Sequence, residues 1–225
     1  MPARIQKPKR NQNLKIIEEN AYILSPFGDI YGDLVLKHLE LCARTCYKSE
    51  DKITDESAER MLRSLIKSGH EAAIEHYSIT AKVICDRAVQ NEIVRHRLAS
   101  FCVESTRYCN YGSGKFDEEI TVIKPCFFDE DSKQYTIWKN AMEDAERAYM
   151  DLLALGAKPQ EARDVLPLSL KTEVVMTANV REWRHFFELR TSKAAHPQMQ
   201  RVAKMLLRQF RNAIPVVFDD VGDIE

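Results

Sequence analysis

The stretch KTEVVMTANVREWRHFFELR, residues 171–190, decides which class of fold the chain can adopt. Residues 171–180 predict a strand, and residues 181–189 predict a helix that follows it directly. The chain carries no GxGxxG turn and no P-loop, so nothing in it supports a Rossmann-type nucleotide-binding fold. Strands occur among long helices without regular βαβ alternation, which favours an α+β fold.

Helix and strand patterns of this irregular kind cover most of the chain. We predict an α+β fold with a single domain at residues 14–218, in which long helices pack on a central, mainly antiparallel sheet. In the first helix, Leu34 and Leu41 recur at helical spacing and are expected to lie on one face. The strands are predicted at 14–25, 77–84, 118–125 and 171–180, and the helices at 33–47, 54–69, 86–97, 132–155, 159–166, 181–189 and 197–214.

The composition is that of a soluble globular protein. Of the 225 residues, 44% are hydrophobic and 30% are charged, and the formal net charge is -1, so no basic field indicates a nucleic-acid or membrane partner. No apolar run approaches the ~20 residues that a membrane span needs. Residues 1–13 are predicted to be a basic arm, not a signal peptide, and residues 219–225 a loose acidic tail. The six cysteines form no CxxC pair, which indicates reduced thiols in a cytoplasmic protein.

Arginine is used to the exclusion of lysine in one part of the chain. No lysine occurs between residues 83 and 114, where Arg95, His96 and Arg97 adjoin and Ser105 follows after seven residues. The rigid fork of arginine binds phosphate through two parallel hydrogen bonds, whereas lysine is a flexible point charge. The pattern therefore indicates a bound anion. A helix C-terminus whose cations complement the macrodipole would also explain the run of charges taken alone.

Further candidate residues occur in other segments. His70 and His76 flank a predicted helix-to-strand junction, where loop side chains often reach a site, but two surface or core-edge histidines are the competing interpretation. The HExxH spacing of zinc proteases fails because Ile74 is the fifth residue, so no metal is predicted. Segments 162–167 and 177–190 add Arg163, Asn179, Arg181, Arg184, His185 and Arg190, and His196 precedes the last helix.

The segment RHRLASFCVES, residues 95–105, has the RHR-x7-Ser spacing and resembles the signature of the flavin-dependent thymidylate synthases. The segments SGHEAAIEH (68–76), ARDVLP (162–167), TANVREWRHFFELR (177–190) and AAHPQMQ (194–200) are similar to further blocks of that family, in the same order. The resemblance extends over about residues 60 to 210.

The resemblance implies a homotetramer of α+β subunits whose active sites lie where subunits meet. It also implies FAD as cofactor, dUMP as acceptor, methylenetetrahydrofolate as one-carbon donor and NADPH as reductant, with small molecules and not nucleic acids or membranes as partners. In the family, uracil C5 is methylated and reduced flavin delivers a hydride. Both FAD and dUMP carry phosphate, which agrees with the use of arginine.

The resemblance also implies a role for each matching residue. Arg190 matches the arginine that stabilises the ionised uracil N3, and it is the predicted catalytic residue. Ser105 has no evident base, so it is interpreted as a nucleotide ligand and not as a nucleophile. The predicted cofactor-binding residues are His70, Arg95, His96, Arg97, Val103, Asn179, Val180, Arg181 and His185. The predicted substrate-binding residues are Glu92, Arg95, Val103, Glu104, Ser105, Thr106, Arg107, Arg163 and Arg190.

The chain departs from the family pattern just before the motif serine. Cys102 and Val103 stand where the family usually has polar groups, and Ala72 stands at a position that is often Thr. The side chain of Val103 cannot form a hydrogen bond, so a ligand contact is lost or is made by Glu104 or the backbone. A lost hydrogen bond to a ligand typically costs ~0.5–1.5 kcal/mol.

Three alternatives remain at the level of sequence. A non-catalytic relative would bind flavin and dUMP without forming product. A related flavoenzyme would produce a different C5 derivative, such as hydroxymethyl. A nucleic-acid-binding module is supported only by the basic residues at 4–10, and its affinity would fall steeply with salt.

Overall fold

The computed structural model describes residues 14–25 and 30–222. The predicted basic arm, residues 1–13, lies outside the described residues, as do 223–225 of the acidic tail.

The elements of the described residues are named here in chain order. The strands are β1 (Lys15–Ile17), β2 (Asn20–Ile23), β3 (Ser78–Asp86), β4 (Ala99–Val103), β5 (Thr121–Ile123) and β6 (Lys171–Asn179). The helices are α1 (Gly32–Thr45), α2 (Ser57–Lys67), α3 (Arg87–Ile93), α4 (Lys133–Ala154), α5 (Pro159–Ala162), α6 (Val180–Arg190), α7 (Pro197–Ala213) and α8 (Pro215–Phe218). Short 3₁₀ turns span Glu50–Lys52, Glu71–His76, Gly114–Phe116 and Arg163–Val165.

The central sheet has the strand order β2-β3-β6-β4, and every neighbouring pair is antiparallel. β3 and β6 pair along their whole lengths, from Ser78 opposite Asn179 to Asp86 opposite Lys171. Alternate residues of β6 are buried, so one face of the sheet meets the core and the other stays partly exposed. The predicted α+β fold with a mainly antiparallel sheet is confirmed.

The main core lies between the sheet and the helices α1, α2, α6, α7 and α8. Trp183 of α6 is fully buried, and its Nε1 donates a hydrogen bond to the Ile79 carbonyl of β3 at 3.0 Å. Phe187 and Phe210 pack on the same indole ring, with centroid distances of 5.8 Å and 5.0 Å. This aromatic cluster fixes α6 against the sheet, and α6 carries much of the candidate site.

A second, smaller core lies around α4. β1 pairs in parallel with β5, and the buried Tyr149 and Met150 of α4 pack in one cluster with Ile120, Val122 and Leu170. The predicted long helix is confirmed, and Ser132 caps it by accepting a hydrogen bond from the Tyr135 N–H.

Three local predictions are corrected by the structure. The single strand expected at 14–25 is two strands, β1 and β2, which belong to different sheets. The helix expected at 86–97 ends at Ile93, and Asp86 caps its start by accepting from the Val89 N–H at 2.7 Å. β4 was not predicted, because its five residues lie inside the motif segment and carry no clear strand boundary.

The exposure of α1 and the packing of the acidic tail also differ from expectation. Leu34 and Leu41 do lie on one face of α1, but that face is 65% and 52% exposed at these residues, while Val35 and Leu39 face the core. The start of the acidic tail is not loose, because Asp220 pairs with Arg184 and Val221 is buried. Among the described residues, no helix combines the length and the apolar character needed to cross a membrane.

Candidate active site

The Arg95-His96-Arg97 run lies in the turn between α3 and β4. α3 ends at Ile93, and Leu98 at the end of the turn has a positive φ of 63°. Arg95 and Arg97 are exposed, whereas His96 is only 5% exposed. The three side chains therefore do reach different surroundings, but the turn and not helical geometry separates them.

His96 is held on both ring nitrogens. Its Nδ1 lies 3.1 Å from Glu182 Oε1, and its Nε2 lies 3.0 Å from Arg190 Nε. The ring packs on Phe186 with centroids 4.9 Å apart. Burial is the main cause that lowers the pKa of His96 below its usual value, and the Arg190 guanidinium adds to this, while Glu182 opposes it. His96 is therefore neutral at pH 7.

Arg190 is fixed by residues of two other elements. Its Nη1 donates to Glu92 Oε2 at 2.8 Å, and its Nη2 donates to the Glu92 carbonyl at 3.1 Å. Together with the bond to His96, these contacts bind the end of α6 to α3 and to the motif turn. We call Glu92, His96, Glu182 and Arg190 the arginine cluster.

A cleft of about 280 Å³ opens beside the arginine cluster. Arg181 reaches into it and forms ion pairs with Glu75 at 2.6 Å and Glu71 at 3.5 Å. Arg184 is buried and binds Asp220 at 2.6 Å, so it holds the segment that follows α8. Arg181, by contrast, keeps half of its side chain exposed. The cleft is lined by Glu71, Glu75, Leu98, Asn179, Arg181, Glu182, Arg184, His185 and Glu188.

The first turn of α6 forms part of the cleft wall. Asn179 caps this helix, because its Oδ1 accepts a hydrogen bond from the Glu182 N–H at 2.9 Å. The next residue, Val180, is buried and donates its N–H to the Tyr77 carbonyl at 2.9 Å. Positive partial charge at this helix start favours anions in the cleft.

Ser105, Thr106 and Arg107 lie in a turn after β4, which we call the serine loop (residues 105–108). The Arg107 N–H donates to Ser105 Oγ at 3.3 Å, and its Nε donates to Gln160 Oε1 of α5 at 3.3 Å. Arg107 is exposed and lies over the exposed Tyr108 ring. The exposed Arg163 directly follows α5, so these predicted nucleotide ligands border the smaller core and not the cleft lining.

Glu104 is engaged within its own chain. Its carboxylate accepts from Tyr111 Oη at 2.9 Å and from Lys171 Nζ at 2.9 Å. Its backbone N–H donates to Glu173, and its carbonyl accepts from Arg87. Burial and then the Glu104 carboxylate raise the pKa of Tyr111. A ligand would have to compete with these bonds, so Glu104 is a poor substitute for the contact that Val103 at the end of β4 lacks.

The two histidines of the second segment lie apart from the arginine cluster. His70 is exposed and precedes the 3₁₀ turn whose Glu71 and Glu75 line the cleft. The carbonyl of His76 lies 3.1 Å from His38 Nε2 of α1.

His96, Glu182 and His185 are the group in the described residues that comes closest to a metal site. Their ligand atoms lie within 4.8 Å of one another. Arg190 Nε is bonded to His96, however, and a fixed cation at this distance opposes a second cation. That no metal is used therefore stays a prediction.

Comparison with known proteins identifies the family to which this chain belongs. Residues 35–216 match the model of the Thy1 family, described as thymidylate synthase complementing protein. The chain belongs to this family. The family resemblance drawn from the motifs is therefore confirmed, and so is the prediction of an enzyme.

Several relatives of this Thy1 chain cover most of its length. It is 32% identical over 200 residues to the flavin-dependent thymidylate synthase of Corynebacterium glutamicum, covering 81% of this chain and 78% of that protein. It is 30% identical over 189 residues to that of Geobacter sulfurreducens, covering 81% and 80%. The crystal structure of the UMP/dUMP methylase PolB from Streptomyces cacaoi has a TM-score of 0.74, with 24% identity and 92% and 96% coverage, and shares the fold.

Sequence reasoning missed the acidic partners of the candidate site. Glu182 binds His96, and Glu75 binds Arg181, but no motif singled out either carboxylate. The available signal for Glu182 was its place three residues after the Asn179 cap, which puts an acidic residue in the first helical turn. The contact to His96 spans 86 residues and could not be inferred from spacing.

Proposed function

We propose that the protein methylates dUMP at uracil C5 to give dTMP. Methylenetetrahydrofolate donates the one-carbon unit, NADPH is the reductant and FAD the cofactor. The balanced reaction consumes dUMP, methylenetetrahydrofolate, NADPH and a proton, and yields dTMP, tetrahydrofolate and NADP⁺. The observation that carries the proposal is the arginine cluster, which holds Arg190 beside the motif turn of a Thy1 chain.

Arg190 acts on the uracil ring in this proposal. Ionisation of N3 makes uracil C5 a carbon nucleophile, and a cation next to the developing negative charge lowers the energy of that state. Three hydrogen bonds to His96 and Glu92 hold the guanidinium in place before the substrate arrives. Such preorganised charge avoids the cost of reorientation during the reaction.

The residues around the cleft fit a flavin dinucleotide. Arg95, Arg97 and Arg181 each present an exposed guanidinium, and the start of α6 favours negative charge. Arg181 and His185, which line the cleft, would hold the cofactor there, together with His70 just before the turn that carries Glu71 and Glu75. FAD, when bound, supplies a hydride after reduction by NADPH. Arg181 would release Glu75 to bind the pyrophosphate, which an exposed ion pair permits at low cost.

The serine loop would bind the dUMP phosphate. Ser105, Thr106, Arg107 and Arg163 offer hydroxyl and guanidinium donors that face solvent at one edge of the smaller core. This position differs from that of the arginine cluster, which supports a site completed by a second subunit. The apolar face of α1, with Leu34 and Leu41 exposed, and the partly exposed face of the sheet provide surfaces for such contacts. We therefore propose a homotetramer. We also propose that it is located in the cytoplasm, because its six cysteines form no CxxC pair.

The two alternative activities differ from this proposal in their products. A binding-only relative would be explained by Val103 and by the engagement of Glu104 in its own chain. A different C5 derivative would arise from the same nucleotide site. The arginine cluster favours catalysis over simple binding, because phosphate recognition does not require a partly buried, tethered guanidinium near the motif turn.

The test is product formation by the purified protein. The protein is incubated with FAD, dUMP, methylenetetrahydrofolate and NADPH, and the nucleotides are identified by mass spectrometry. Parallel reactions omit FAD, omit the folate, or replace dUMP with UMP. FAD-dependent dTMP is expected. Bound flavin and dUMP without product would indicate the binding-only relative, and a hydroxymethyl product would indicate the related flavoenzyme.

A further inference from the structure

Glu182 belongs to the arginine cluster, but the proposed function gives its carboxylate no role. It is in the first turn of α6, its side chain is 11% exposed, and its Oε1 lies 3.1 Å from His96 Nδ1. The helix dipole favours a negative charge at this position. A nearly buried carboxylate directed at one nitrogen of a buried imidazole determines which nitrogen carries the proton.

The opposite nitrogen of His96 supplies the second constraint. Arg190 Nε, 3.0 Å from His96 Nε2, carries a hydrogen at every accessible pH and can only donate. As long as this contact is kept, His96 Nε2 is the unprotonated acceptor. The proton of the neutral ring is left on Nδ1, where the Glu182 carboxylate accepts it. Donors and acceptors thus alternate from Glu182 through His96 to Arg190.

The other tautomer of His96 would break this arrangement. With its proton on Nε2, the ring would direct an N–H at the Nε–H of Arg190, and two donors would face each other. The guanidinium would then rotate away, which would also disturb its bonds to Glu92. A displacement of about 1 Å at a reacting group can cost about 100-fold in rate.

We propose that Glu182 is a positioning residue, which keeps the proton of His96 on Nδ1 so that Nε2 accepts from Arg190 and orients its guanidinium toward the substrate. This inference rests on the proposed function only for the identity of that substrate, because the alternation of donors and acceptors follows from the contacts themselves. Glu182, His185 and Arg190 of α6 act on His96, and Glu92 of α3 binds the same Arg190 guanidinium. Arg95 and Arg97 of its own turn point to solvent.

Two variants and one control test the proposal in the full-length protein. Glu182→Gln removes the charge at nearly constant size, and Glu182→Asp keeps the charge on a shorter side chain. Glu59→Gln is the matched control, because it removes one carboxylate from an exposed position of α2, where Glu59 pairs with Arg63 and does not line the cleft. The ¹⁵N chemical shifts of the His96 ring, dTMP formation and the pH profile are measured for each protein.

The wild type and Glu59→Gln are expected to show a protonated Nδ1 and an unprotonated Nε2. Glu182→Gln should show a mixture of tautomers and a rate of dTMP formation about 10- to 100-fold lower. The acidic limb of its pH profile should move to lower pH, because the lost carboxylate no longer favours protonated His96. A merely structural defect would not shift this limb. Glu182→Asp should recover the wild-type tautomer and most of the rate.

The proposal is overturned if the wild-type ring is protonated on Nε2, or if Glu182→Gln matches the control in tautomer and rate. It is also overturned if Glu182→Asp behaves like Glu182→Gln. If the wild type makes no dTMP, the proposed function fails, and the ring shifts still decide whether Glu182 sets the tautomer. Failure of the two ideas can therefore be told apart.

Discussion

The arginine cluster and the serine loop both carry predicted substrate residues, but they are built differently. Arg190 has 19% of its side chain exposed and is bonded to His96 and Glu92. Arg107 is exposed and has one hydrogen bond of 3.3 Å from its side chain, to Gln160. The first guanidinium is fixed before a ligand binds, whereas the second retains much of its freedom.

This difference separates two tasks. A group that stabilises charge in a transition state gains most from being held in position, because reorientation would otherwise raise the barrier. A group that binds a phosphate can be ordered by the ligand itself, at a cost in side-chain entropy. We therefore propose that the arginine cluster serves the chemistry on uracil and that the serine loop serves nucleotide capture.

The largest effect is expected from Arg190→Ala. Loss of a preorganised cation should lower kcat for dTMP formation by about 10²–10³-fold, with a smaller change in the dUMP dissociation constant. Steady-state kinetics and dUMP titration measure both quantities. Arg190→Lys serves as the comparison, because it keeps the charge but cannot bond His96 and Glu92 in the same geometry. Full activity of Arg190→Lys would argue against the importance of the tether.

A smaller effect of a different kind is expected from Arg107→Ala. It should raise KM for dUMP about tenfold with little change in kcat, because a lost charge-assisted phosphate contact weakens capture more than chemistry. The free energy of unfolding should change by less than about 0.5 kcal/mol, since the residue is exposed. An equal loss in kcat would show that the serine loop also takes part in the chemical step.

The pH dependence of stability reports on the buried His96 of the arginine cluster. Burial is the main cause that lowers the pKa of His96 below its usual value of 6.5, so near that pH the folded chain keeps the ring less protonated than the unfolded chain does. Below that value the unfolded chain binds a proton that the folded chain does not, so stability should fall as the pH drops from about 6.5 toward the folded pKa. Chemical unfolding of the wild type and His96→Gln between pH 5 and 8 measures this dependence. The same slope in both proteins would exclude His96 as its source.

The smallest effect is expected from Glu75→Gln. Removal of this carboxylate frees Arg181 for the flavin, and the affinity for FAD should rise by about two- to fivefold, because exposed ion pairs are worth ~0–1 kcal/mol. Fluorescence titration of the apoprotein with FAD gives the affinity. Weaker FAD binding would mean that Glu75 itself helps to hold the cofactor.

The sequence predicted much of the fold for identifiable reasons. The strand and helix at 171–190 and the long helix α4 follow local rules of apolar spacing. The motif turn did not, since helical spacing continues past Ile93 in the sequence while the chain turns there. The exposed face of α1 also escaped prediction, because apolar side chains occur on both of its faces.

The candidate site was predicted in its residue types but not in its grouping. Motif spacing identified His96 and Arg190 separately, but their hydrogen bond joins residues 94 positions apart. The division between the arginine cluster and the serine loop likewise depends on tertiary packing. Glu104 was predicted to bind the substrate because it lies beside the motif serine. In the structure its carboxylate is bound by Lys171 of β6 and by Tyr111 in the loop after β4.

The most direct test compares dUMP with deoxyuridine, which lacks the phosphate, in the wild type, Arg107→Ala and Arg190→Ala. The methylated product and the dissociation constant are measured for both substrates with FAD, methylenetetrahydrofolate and NADPH present. We expect the wild type to methylate dUMP in strong preference to deoxyuridine, Arg107→Ala to lose most of that preference, and Arg190→Ala to bind dUMP but form little product. Absence of dTMP from the wild type would contradict the proposed activity. An unchanged preference in Arg107→Ala would contradict the role of the serine loop in binding the dUMP phosphate.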